Sequence, residues 1–176
     1  MKSIDNNRGK AKDPNSKVFS DYVAEAIALL LLLFSFLTLW LNWSSLSDPI
    51  SILSNTTDEP FRIYSRSGLL TFQFVTAGIY LFFTVISRLP PQWHRYFCKI
   101  TAENAARQYS IMRSFYIWLK ALIMLGTSFS TWGTIQVFLG RAKGLAASVE
   151  LVFTGLFIAI FITILVVHLV KANRAR

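Results

Sequence analysis

The chain has 176 residues, 53% of them hydrophobic, and only 15% are charged, against about 25% in an ordinary soluble domain. Composition therefore excludes a disordered chain and a disulfide-stapled secreted fold, since the one cysteine, Cys98, allows no intrachain disulfide. The net charge of +9 would suit a nucleic-acid partner in a soluble protein, but here the basic residues flank long apolar blocks. Lipid and membrane topology account for them first, and nucleic acid is not an expected partner.

Residues 1–21 are polar and basic, with Pro14 in the middle. They lack the apolar surface to fold alone and are expected to form a flexible tail ahead of a transmembrane domain over 22–176. From Ala26 to Ser47 there are 22 residues without a charge, which exceeds the roughly 20 that cross about 30 Å of hydrocarbon. Trp40, Asn42 and Trp43 stand where a signal-peptide cleavage site would need small residues, so this span is retained. A second uncharged run of 20 residues, Gly68 to Ser87, is stopped by Pro90 and Pro91. The third run, Ala121 to Leu139, has helix-forming residues upstream as far as Thr101, a suitable N-cap. One helix from Ala102 to Leu139 would measure about 57 Å, so its first turns are expected to project from the membrane. The fourth run, Leu151 to Val170, is closed by Lys171, Arg174 and Arg176. Spans are thus predicted at about 22–46, 68–88, 111–139 and 147–170, in an all-α membrane protein with four transmembrane helices.

Counted by side, thirteen Lys and Arg fall in the N-terminal tail, the 88–113 loop (Arg88, Arg95, Lys99, Arg107, Arg113) and the C-terminal tail. Four fall in the other two loops: Arg62, Arg66, Arg141 and Lys143. Basic loops stay in the cytoplasm, which predicts cytoplasmic termini and a cytoplasmic extension of the third helix. Arg88, Arg95, Lys99, Arg107, Arg113, Lys171 and Arg174 then form a surface suited to anionic lipids, at about 1 kcal/mol per nearby charge.

Lys120 lies inside the third span and Glu25 at a similar depth in the first, so an intramembrane Glu25–Lys120 pair is expected; snorkelling of Lys120 to the headgroups is the alternative. Polar residues recur at helical spacing: Gln73, Thr76 and Tyr80 in span two, Thr127, Thr131 and Thr134 in span three, and Glu150 with Thr154 at the head of span four. These should form an interior stripe, either as interhelical hydrogen bonds or as a hydrated path. Gly126, Gly133 and Gly140 repeat every seven residues and suggest a helix-packing face. His94 and His168 have no metal-ligand spacing, and no phosphate loop or nucleophile motif occurs, so neither a metal, a cofactor nor an enzymatic role is expected.

Two stretches carry a resemblance. The 46–70 loop, LSDPISILSNTTDEPFRIYSRSGLL, presents Asp48, Pro49, Ile50, Ile52, Asn55, Glu59, Pro60, Arg62 and Ser65 in a gapless pattern, and KITAENAARQY follows at 99–109. Both resemble a bacterial membrane-domain family of unassigned function whose domain also forms the N-terminal part of immunity proteins against the sporulation-delaying toxin. The chain departs from that pattern at Ser47, Ser51, Leu53, Asp58, Phe61 and Arg66. The resemblance implies a four-span fold in a bacterial cytoplasmic membrane. Three functions fit: an accessory subunit of a larger complex with other membrane proteins, a sensor or immunity-type protein reading an extracellular peptide through the outer loop, and an oligomeric transporter or channel.

Overall fold

The computed structural model describes residues 19–46, 50–53, 60–90, 93, 94, 96, 99–141 and 147–174. Among them are four long helices: α1 (Phe19–Asn42), α2 (Arg66–Ile86), α3 (Ala105–Phe138) and α4 (Ala147–Asn173). Three helical stretches, Phe19–Ser45, Arg66–Ile86 and Leu151–Asn173, are long and apolar enough to cross a membrane. The chain is therefore a multi-pass membrane protein in its helical composition. α3 is the longest helix at 34 residues, about 51 Å, but it is the most polar and the most buried of the four.

The fold is all-helical but for one connection. Two short antiparallel strands, β1 (Ile50–Leu53) and β2 (Pro60–Tyr64), join α1 to α2, with Ile50 opposite Tyr64 and a register irregularity between Ile52 and Leu53. Ile50, Ile52, Phe61, Ile63 and Tyr64 are β-branched or aromatic, residue types that favour a pleated strand. Asp48, Pro49, Asn55, Glu59, Arg95 and Cys98 lie outside the described residues, as does the 1–18 tail, and nothing is described of the side chains of Arg62 and Glu150.

Local signals set the helix ends. Ser65 is extended and its Oγ accepts the Gly68 N–H at 2.9 Å, capping α2. Thr101 opens a turn rather than α3 itself: its N–H donates to Asn104 Oδ1 at 2.8 Å, and α3 begins one turn later. At the other end of α3, Gly140 has φ +65°. Its N–H donates to the Val137 carbonyl and that of Arg141 to the Gln136 carbonyl, both at 3.1 Å, which closes a Schellman motif. Gly140 is thus a helix cap and not part of a packing face, because only glycine adopts that left-handed conformation without strain.

Contacts fix the direction of every helix. Asp21, Glu25 and Ser35 of α1 meet Ser114, Lys120 and Thr131 of α3 in the same order. These two helices therefore run parallel. Thr84 and Gln73 of α2 meet Lys120 and Thr131 in reverse order. His168 and Phe153 of α4 meet Ser114 and Phe129, also in reverse. The result is an up-down-up-down bundle in which α3 is the axis and α1, α2 and α4 each pack on it. α1 buries one stripe, Asp21, Ala24, Ala28, Leu32, Ser35 and Leu39, at spacings of three and four residues. Asp21, only 3% exposed, belongs to this stripe and not to the tail.

One apolar cluster joins Ala24, Ala28 and Leu32 to Ile117, Ala121 and Met124. A second joins Leu39, Leu46 and Leu69 to Ile135 at the far end. A third joins Met112, Phe115 and Leu122 to Ile164 of α4. The far end is fastened by Arg66, whose guanidinium donates to the Leu46 carbonyl and lies 5.8 Å from the Trp43 ring centroid.

Candidate functional site

The polar side chains of the interior form three layers along α3. In the middle layer Lys120 is completely buried, and its Nζ lies 3.3 Å from Glu25 Oε1. The ammonium also donates to Thr84 Oγ1 at 3.0 Å and sits 4.6 Å from the Tyr80 ring centroid. Three helices thus surround one cation: α1 supplies the counter-charge, α2 a hydroxyl oxygen and an aromatic face. Lys120 does not snorkel, because its stem runs across the bundle towards α1 and α2.

Three turns further along α3, Ser35 Oγ donates to Gln73 Oε1 at 2.9 Å, and Gln73 Nε2 donates to Thr131 Oγ1 at 2.8 Å. Ser35 and Thr131 are 3.2 Å apart, and all three residues are buried. The Thr131 hydroxyl in turn donates to the Thr127 carbonyl at 3.0 Å. Ser128, between these two layers, donates to the Leu31 carbonyl at 2.7 Å. A buried amide needs several partners at once, and this triad provides them from three helices.

The third layer was not legible in the sequence. Ser114 Oγ donates to Asp21 Oδ1 at 2.7 Å and lies 3.4 Å from His168 Nε2. His168 Nδ1 bonds the Ile164 carbonyl of its own helix at 2.7 Å. A serine, a histidine and an aspartate are together here, but the hydroxyl proton points to the carboxylate and not to the imidazole. That order does not activate the serine as a nucleophile, which needs the base at the hydroxyl. The layer ties α1, α3 and α4 together.

Below it, Gln108 Nε2 donates to the Ala172 carbonyl at 2.8 Å and Tyr109 OH to the Leu89 carbonyl at 3.1 Å. His94 Nε2 shares that carbonyl at 3.0 Å and lies among the rings of Tyr96, Tyr109 and Tyr116. Burial, then the neighbouring Tyr109 and Tyr116 phenols, pushes the Tyr96 phenol above its ordinary value. The first turns of α3 are therefore packed against Leu89, His94 and Tyr96 and the last turn of α4. Arg88, Lys99, Arg107, Lys171 and Arg174 are exposed around this end, whereas Arg113 is half-buried on α3. Trp93 is exposed here, and Trp40 at the opposite end of the bundle.

The sequence-derived stripe divides. Gln73, Thr76 and Thr131 are buried between helices, and Tyr80 is half-buried over Lys120. Thr127 and Thr134 instead line a lateral groove between α2 and α4, with α3 as its floor and a volume of about 740 Å³. The glycine face also divides. A Cβ on Gly126 would stand 3.0 Å from Phe157 Cε2, so this glycine lets an α4 ring lie on α3. Gly133 is buried in the bundle and Gly140 is the cap.

Comparison with family models, with curated proteins and with solved structures found no match.

Proposed function

We propose that the chain is a four-span protein of a bacterial cytoplasmic membrane, with both termini in the cytoplasm, acting as a structural accessory subunit of a larger membrane assembly. α3 is the fourth span in this reading: its polar groups face the other helices, which supply in the bundle what hydrocarbon would not. The thirteen basic residues at one end and four at the other support the orientation. The basic end holds anionic lipid headgroups.

The observation that carries the reading is the state of the interior. Glu25–Lys120–Thr84, Ser35–Gln73–Thr131 and Asp21–Ser114–His168 commit the central polar groups to one another across helices. Such a centre fixes helix positions, its polar groups spent on packing one helix against another. The outward faces are broad and apolar: Leu30, Leu33 and Leu37 on α1, and Leu156, Ile158 and Ile162 on α4. α4 packs principally on α3, so most of its circumference is free for other subunits.

The test is gentle solubilisation of native membranes, with a photo-crosslinking residue at Leu156 or Ile162. A large stoichiometric complex crosslinked through α4 supports the subunit reading; a lone 20.0 kDa species without crosslinks refutes it. A second reading is favoured by one feature. The β1–β2 ribbon, held beside the Arg66 fastening at the non-basic end, suits a sensor or immunity-type protein that reads an extracellular peptide. There, substitutions in 48–66 abolish a response and leave assembly intact. The transporter reading depends on a mobile Lys120 and predicts loss of flux in Lys120→Ala liposomes.

A further inference from the structure

We infer that the groove between α2 and α4 is a binding site for one glycerophospholipid of the leaflet at the non-basic end, with an acyl chain in the groove and its ester carbonyl on the groove's hydroxyls. The inference goes beyond the subunit reading and stands whether or not a partner is found.

Hydrogen bonding gives the first reason. In a hydrocarbon setting a helical Ser or Thr ordinarily returns its hydroxyl to a carbonyl one turn back. Thr38, Thr71, Thr76, Thr84, Thr127, Thr131 and Thr163 all do so. Ser130 and Thr134 do not: their hydroxyls make no hydrogen bond among the described residues, and both line this groove together with Thr154. A hydroxyl donor left without an acceptor in hydrocarbon is costly, so an occupant bringing acceptor oxygens is favoured there.

The second reason is the groove's length and gradient. Along α3 it runs from Thr134, one turn from the helix end, to Ile123 near mid-height. Eleven residues at ~1.5 Å make about 17 Å, the hydrocarbon depth of one leaflet. The unpartnered hydroxyls lie at the end near the bundle surface, and the deep end is lined by Ile123 and Phe157. Polar at the interface and apolar at the midplane is the profile of a lipid. A transmembrane helix would need a groove across both leaflets. Of the two glycines that line it, Gly126 is already covered by Phe157 and Gly68 lies against the Ser65 hydroxyl in the first turn of α2. The volume of about 740 Å³ is that of a small-ligand site.

The full chain, purified in mild detergent, is examined by native mass spectrometry with added diester phosphatidylglycerol or its diether analogue, which lacks the carbonyls. Wild type is expected to retain one diester lipid per chain and to prefer it over the diether by about eight- to twentyfold, the effect of two or three intramembrane hydrogen bonds. The triple variant Ser130→Ala, Thr134→Val, Thr154→Val loses that preference, and Thr127→Phe, which fills the groove, loses retention. Thr163→Val, on the exposed side of α4, behaves as wild type. Thermal melts accompany each variant, so that a misfolded protein is recognised. Equal retention of the two lipids by wild type overturns the assignment. So does a folded triple variant that keeps the preference, or a lipid-free wild type whose groove is closed by a second copy.

Discussion

Removing one member of the Glu25–Lys120 pair tests the middle layer most directly. At 3.3 Å two unit charges attract by about 5 kcal/mol at an effective dielectric constant of 20. Desolvation offsets much of that attraction in the intact pair, but it remains when one partner is removed. Glu25→Gln therefore strands a fully buried ammonium. Glu25 keeps 19% exposure, and Thr84 and Tyr80 still solvate Lys120, so the loss falls at the low end of the buried-pair range, about 3 kcal/mol. For a chain of this size that lowers Tm by about 6–12 °C. Lys120→Met strands the carboxylate and costs less, because Glu25 is 19% exposed and stays partly solvated. The double variant Glu25→Gln, Lys120→Met returns to within about 1 kcal/mol of wild type, since an apolar side chain of similar length fills the site. The assay is tryptophan-monitored thermal unfolding in lipid nanodiscs, run as a double-mutant cycle. Additive losses would refute a coupled pair, and an unchanged Tm for Lys120→Met would refute burial of the ammonium.

Other outcomes follow from the packing. Gly126→Leu should cost about 1–3 kcal/mol by forcing Phe157 off α3; disulfide trapping between cysteines placed at Phe129 and Phe153, whose rings stack at 3.8 Å, should then fail. Gly140→Ala should cost about 1 kcal/mol, because alanine is strained at a φ of +65°, and thermal unfolding would register it. Gln73→Leu, which deletes two interhelical hydrogen bonds, should cost about 1 kcal/mol and be rescued little by Thr131→Val. The Tyr96 phenol, held above its ordinary value by burial, contributes stability that is complete below its unfolded value and is lost as pH rises through the raised one. Its ultraviolet ionisation should lag behind that of free tyrosine, and Tyr96→Phe should reduce the alkaline loss of stability.

The helices were legible in the sequence because an uncharged run of about 20 residues matches the thickness of the hydrocarbon layer and seldom suits a soluble fold. Glu25 and Lys120 were legible for the same reason, since a charge inside such a run needs a partner. Asp21 was not, because a carboxylate beside a basic tail looks solvated until α1 is seen to start at Phe19. Ser114 and His168 are 54 residues apart, and nothing local links them. The threonines of α3 share one broad stripe in sequence, yet one edge of that stripe meets α1 and α2 while the other lines the groove. Helical periodicity fixes a face; only the neighbours decide what the two edges of that face touch. The regular glycine spacing likewise hid two roles, ring packing at Gly126 and capping at Gly140.

The arrangement of helices by polarity bears on how the chain is made. The least apolar long helix, α3, is the axis, and its lysine has its counter-charge on α1. If α3 is the fourth span proposed above, α1 and α2, each apolar enough to enter the bilayer alone, precede it in synthesis, and the lysine that hydrocarbon rejects meets a docking seam with Glu25, Ser35 and Gln73 already in place. The first two spans would then act as an intramolecular chaperone for the third.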